Sequence, residues 1–175
     1  STCHNANATD INRRVAGSAC ETELGLDDVE IDLKRMIHRI HAGNIGVCGF
    51  GNSAHDYVGI VYPGRLNNCE GCHLAGTYYP VDPAVVLATT VDAGADRSTL
   101  VDDVAISPNT AVCSGCHTSD LAAQHMIQNG GDFAAGKDDT GALISSGVET
   151  CALCHGPGRS ADVKDLHGVG DFDFN

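Results

Sequence analysis

A chain of 175 residues is the size of one domain, yet 5% aromatic residues, no tryptophan and 21 glycines leave few large side chains for a conventional core. The formal charge of −13, from 23 acidic and 10 basic residues, disfavours nucleic acid and anionic lipid as partners. No apolar run reaches membrane-spanning length.

In chain order, the first strong signal is "LDDVEIDLKRMIHRIHAG". Asp27 is the predicted N-cap with Glu30 three residues on, a variant of the capping box. Val29, Leu33, Met36, Ile37 and Ile40 recur at helical spacing, and Gly43 closes the helix. His38 and His41 both lie on it, about 60° apart around the axis. Histidines so placed suit two neighbouring cofactors better than opposite faces of one. "YVGIVYPG" reads as a short strand, and Asp82 with Pro83 as the N-cap and N1 of a helix through "VDPAVVLATT". Residues 91–110 read as loop. Ser119 is the predicted cap of a second helix, "SDLAAQHMIQNGG", in which Leu121 and His125 lie one turn apart before Gly130 and Gly131. A short third helix runs through "SADVKDLHG", capped by Ser160, with His167 just before Gly168. The expected fold is one domain over residues 1–175, mainly α with extensive irregular loops and little β, organised by its cofactors.

Those cofactors are announced by three copies of one motif: Cys69-Glu-Gly-Cys72-His73, Cys113-Ser-Gly-Cys116-His117 and Cys151-Ala-Leu-Cys154-His155. C-x-x-C-H is the attachment signature of haem c. Two cysteines three apart each add to one vinyl group of a porphyrin, and the following histidine is the axial ligand. Chance placement of nine cysteines and nine histidines predicts about 0.02 occurrences, against three observed. Zinc sites use paired cysteines, but a histidine fixed directly after the second one, three times over, is not zinc spacing.

Cys3–His4 has the form of the tail of a fourth copy, which a cysteine just before Ser1 would complete. Assigning Cys3 to a haem leaves Cys20 and Cys48 as an even pair suited to a disulfide in an oxidising compartment. Four haems are therefore expected, three of them from intact motifs. Thioether attachment implies export, so a leader is expected on the precursor.

Setting the motif histidines His4, His73, His117 and His155 aside leaves His38, His41, His55, His125 and His167 as candidates for the second axial position. Met36 and Met126 are the rival ligands, but both fit better as core. Which of the five histidines is surplus is not legible from spacing. Bis-histidine ligation closes both faces of an iron, favouring an electron carrier over an enzyme with an open site.

The segments "CHNANATDINRR", "DLKRMIHRIHAG", "GFGNSAHDYV", "LNNCEGCHLAGTY", "NTAVCSGCHTSDLAAQHMIQNGG" and "ETCALCHGPGRSADVKDLHG" resemble, in the same order, the last haem domain of the OmcA/MtrC family of outer-membrane decahaem c-type cytochromes. The resemblance implies a C-terminal portion of a pentahaem domain, with Cys3 and His4 ending its second haem site. It implies bis-histidine haems relaying electrons at the extracellular or outer-membrane surface of a Gram-negative-type bacterium. Metal oxides, soluble metals, flavins and other cytochromes or outer-membrane conduit proteins are the implied acceptors and partners, with outer-sphere metal reduction open at an exposed haem edge. Two further readings are a subunit of a cytochrome filament with an inter-subunit histidine ligand, and a multihaem reductase of nitrite, hydroxylamine or sulfite type. The Cys20–Cys48 pair has no place in the family pattern.

Overall fold

The computed structural model describes residues 3–82, 85–96, 98–144 and 147–169. The chain begins with a short irregular segment and a 3-10 turn, Ile11–Arg13, followed by helix α1 (Ala19–Leu24) and helix α2 (Leu33–His41). A hairpin of β1 (Gly46–Cys48) and β2 (Ala54–Asp56) comes next, with Val47 opposite His55. Gly51 and Asn52 turn the hairpin at positive φ, a conformation glycine and asparagine tolerate best. After a long irregular stretch holding the first intact motif, β3 (Thr89–Asp92) pairs with β4 (Val104–Ile106). Helix α3 (Pro108–Cys113) and helix α4 (Asp120–Gln128) intervene before β5 (Ala135–Lys137) and β6 (Leu143–Ile144) complete an antiparallel meander in the order β3-β4-β5-β6. Two short helices, α5 (Ala152–His155) and α6 (Val163–His167), close the described chain.

The fold is not mainly α. Among the described residues it is 30% helical, 3-10 turns included, and 12% strand, the strands forming two antiparallel sheets. Strands of two to four residues carry too little alternation to show as a period of two, and Ala135–Lys137 offers only Ala, Gly and Lys. Residues 91–110, expected as loop, contain the end of β3, all of β4 and the start of α3. "YVGIVYPG" is not a strand; the strand lies just upstream, at Ala54–Asp56. Pro83 and Ala84 fall outside the described residues, and Val85 and Val86 form a turn on Asp82 rather than a continuing helix.

Helix boundaries shift for readable reasons. Asp27 caps nothing: Thr9 and Glu30 form a β-bridge that keeps the chain extended, and α2 starts only after Asp32. Glu30 instead accepts from Arg35 Nε and Arg39 Nη1, each at 2.6 Å. Ser119 does cap α4, accepting from Ala122 N, and Asp162 rather than Ser160 caps α6. Gly168 ends α6 in the left-handed region.

The apolar core is small, built from Met36, Ile45 and Val47 with partly buried Val29, Ile31, Ile37, Ile40 and Tyr57. Met126, like Met36, is buried. The remaining interior is polar. Asp10 is a hub that accepts from Arg14 Nε and Nη2, Val29 N and Cys48 N, tying the first segment to the stretch before α2 and to β1. Lys137, the largest fully buried side chain, reaches Thr90 Oγ1, Asn7 Oδ1 at 2.7 Å and Asp103 at 3.6 Å. Cys20 and Cys48 form a disulfide with their Cα atoms 5.7 Å apart, in the usual range, fastening α1 to the hairpin.

Candidate functional site

All three intact C-x-x-C-H copies adopt the same turn on three different elements. The histidine amide donates to the first cysteine's carbonyl, His73 to Cys69 at 2.8 Å, His117 to Cys113 and His155 to Cys151 at 2.9 Å. Residues i, i+3 and i+4 of such a turn share a face, so two sulfurs and one imidazole point the same way. The first copy is a 3-10 turn, the second begins at the last residue of α3, and the third spans α5. Cys3 and the six motif cysteines stay out of disulfides. Burial raises the Cys69, Cys116 and Cys151 thiols and pushes Cys113 up to about 11, so these are not activated thiolates.

Each intact motif histidine faces a second imidazole. His73 lies against His38 with ring centroids 6.1 Å apart and planes 4° from parallel. His117 and His167 stand 6.0 Å apart at 76°, and His155 and His125 6.0 Å apart at 87°. A metal–imidazole bond is about 2 Å long, so imidazoles on opposite faces of one iron put their centroids about 6 Å apart. The three separations have this value, although the Tyr78 ring also lies 6.1 Å from that of His73. Among the described residues, His, Cys, Asp and Glu form no metal-holding group of three or more. Each pair could hold the iron of a haem attached at the neighbouring cysteines.

The Nδ1 atoms support the same fit. His38 Nδ1 bonds the Lys34 carbonyl, and His4, His155 and His167 reach those of Ile31, Ala161 and Val163 at 2.9, 3.0 and 2.8 Å. Such bonds fix the tautomer and orient the ring, leaving Nε2 for a metal. Burial lowers the His38 pKa, which also favours the neutral, ligating form. Large apolar side chains beside the motifs are bare: Leu74 is 78% exposed, Leu121 81% and Leu153 68%. A flat apolar group seated on these turns would cover them. Tyr79 adds an orphaned polar atom: its hydroxyl is buried with no hydrogen-bond partner, and burial, with Cys151 and Cys113 nearby, pushes its pKa to about 12. The residues fit haem c.

The remaining predicted residues are placed differently. Cys3 and His4 line a cleft of about 600 Å³ with Ile31, Phe50 and Cys48, a size typical of cofactor sites. His41 packs on Tyr62, ring centroids 4.5 Å apart, at the edge of a second cleft of about 550 Å³. His55, on β2, is exposed, with Nε2 3.0 Å from Ser53 Oγ.

Residues that the sequence did not flag join the motifs to one another. Arg35, on the His38 helix, donates to Ala111 O at 2.8 Å and Ser114 Oγ at 2.6 Å beside the second motif. Asn44 Nδ2 bonds Gly115 O at 2.9 Å, and a Cβ on Gly115 would stand 3.3 Å from that of His38. Asn67, two residues before Cys69, donates to His167 O at 2.6 Å. Thr150 N, just before Cys151, bonds Asn129 O at the end of the His125 helix. These bonds tie the 73/38 and 117/167 pairs to each other and hold the two halves of the 155/125 pair together.

No curated protein matches the chain. The sequence model of outer membrane cytochromes of the MtrC/MtrF type, domains II/IV, matches residues 1–168, a span that takes in all nine cysteines and all nine histidines. By that match, the chain belongs to the MtrC/MtrF-like outer membrane cytochromes.

Proposed function

We propose that this chain is an electron relay holding haem c at Cys69/Cys72, Cys113/Cys116 and Cys151/Cys154, with axial pairs His73/His38, His117/His167 and His155/His125, and a fourth haem at Cys3 and His4. The single observation that carries the reading is the common 6.0–6.1 Å separation of the three imidazole pairs. When bound, each haem supplies a one-electron ferric/ferrous couple. The chain's own residues do the rest. The histidine pairs would hold the irons, Nδ1 bonds orient His38, His155 and His167, and the Arg35, Asn44 and Asn67 bridges fix the 73/38 pair against the 117/167 pair.

An outer-membrane cytochrome role and location follow from the family. Beyond that, we read extracellular metal oxides, soluble metals, flavins or partner cytochromes as the acceptors. Among the described residues no helix is long and apolar enough to cross a membrane, so attachment at the surface falls to partners or to other segments. His41 and His55 remain for the Cys3–His4 haem and for a haem brought by another segment or another copy. The open cleft beside His41 favours that second use and with it the filament reading. A reductase reading requires an exchangeable axial position, which the uniform pairing disfavours.

Maturation in a host that attaches haem c tests this. Intact mass gives the number of covalent haems, and the oxidised protein is low-spin. His125→Ala converts one haem to a high-spin form that binds carbon monoxide when reduced, leaving the others unchanged. Carbon monoxide binding by the unaltered protein overturns the relay reading.

A further inference from the structure

Glu149 makes more hydrogen bonds than any single haem site requires. Its carboxylate accepts from Ser107 Oγ at 2.7 Å, Asn109 N at 2.8 Å, Asn109 Nδ2 at 2.9 Å, Thr110 N at 2.8 Å and Thr110 Oγ1 at 2.7 Å. Ser107, Asn109 and Thr110 are buried, and the first two lie at the start of the helix that ends at Cys113. Glu149 itself stands two residues before Cys151. One carboxylate therefore sits between the segments that anchor two haem sites. Burial alone would raise its pKa, yet the donors from Asn109, Ser107 and Thr110 hold it below the usual glutamate value. It carries a fixed negative charge at neutral pH, and that charge is felt by the thiols of both Cys113 and Cys151.

No cation pairs with it among its described partners; all five donors are neutral. Two donors converge on Oε2 and three on Oε1, so the site is built for a carboxylate rather than for an amide, whose nitrogen cannot accept. Reduction of a haem adds one electron and changes no bond, so a fixed negative charge beside it opposes the electron's arrival.

The geometry points to Glu149 as a potential-setting residue that lowers the reduction potentials of the two haems anchored at Cys113/Cys116 and Cys151/Cys154. The inference rests on the relay reading.

Spectrally monitored redox titration of the haem-loaded full chain tests it. Glu149→Gln raises two of the midpoints, each by about a tenfold change in the reduced-to-oxidised ratio at fixed poise, 59 mV for one electron. Glu149→Asp, which keeps the charge, leaves them within a third of that shift. Ser107→Ala, which removes one donor that spreads the charge, moves the same two midpoints the opposite way, and it carries the test if the glutamine variant does not assemble. Covalently loaded, low-spin Glu149→Gln protein with unchanged midpoints overturns the inference and leaves the relay standing, as do equal shifts in the aspartate and glutamine variants. Absence of covalent haem from the unaltered chain overturns the relay itself.

Discussion

The imidazole of His38 lies parallel to that of His73, 4° between planes at 6.1 Å, while His125 stands edge-on to His155 at 87°. Both pairs have the same reach and opposite orientation. Axial imidazole planes set how the iron's d orbitals split. Parallel planes give a rhombic low-spin ferric signal, and perpendicular planes a strongly anisotropic one. Frozen-solution electron paramagnetic resonance of the oxidised protein therefore shows one rhombic component from the His73 site, lost in His38→Ala. Strongly anisotropic components from the His117 and His155 sites persist in that variant. A spectrum in which every component is of one kind contradicts the pairing.

The Cys20–Cys48 disulfide closes a loop with a sequence separation of 28. By chain entropy such a crosslink is worth about 3–4 kcal/mol. The double substitution Cys20→Ala/Cys48→Ala lowers the stability of the haem-loaded protein by about that amount in denaturant titration. It leaves the haem count by mass unchanged, because neither cysteine belongs to a C-x-x-C-H motif.

Arg35 is 8% exposed and holds Glu30 on one side and the Ala111 carbonyl and Ser114 hydroxyl on the other. Removing it strands buried acceptors, although Arg39 still pairs with Glu30. Arg35→Met costs about 2–3 kcal/mol of stability. It also slows electron exchange between the 73/38 and 117/167 sites, measured by pulse radiolysis, because the bridge between their helices is gone. Arg35→Lys restores the ion pair to Glu30 but not the second and third bonds, and falls between.

Glu149 gives the protein an acid limit. Its folded pKa lies below the unfolded value because Asn109, Ser107 and Thr110 outweigh burial. A depressed carboxylate contributes stability that is fully present above the unfolded pKa of about 4.3 and is lost as pH falls through the folded value. Thermal unfolding measured from pH 6 downwards loses stability below about pH 4.5. In Glu149→Gln this part of the loss is absent.

The chemistry was more legible in the sequence than the architecture. C-x-x-C-H is local, so its turn and the shared face of Cys69, Cys72 and His73 follow from five residues. The α4 boundary followed from Ser119 for the same reason. The sheets did not, because strands as short as Ala135–Lys137 owe their pairing to partners distant in sequence. Asp27 obeyed a capping rule and lost to the Thr9–Glu30 bridge, a contact 21 residues apart that no local window contains. The pairing of His125 with His155 rather than another motif was equally hidden, since it depends on where α4 and α5 meet. Arg35 and Glu149 carried no signal beyond being a charged residue near a motif.

Leu74, Leu121 and Leu153 stand bare beside the motif turns. Exposed apolar faces drive self-association. Were haem seated on these turns, the same side chains would be covered, so the haem-free chain is expected to aggregate at concentrations where the loaded one stays dispersed, a difference that light scattering reads.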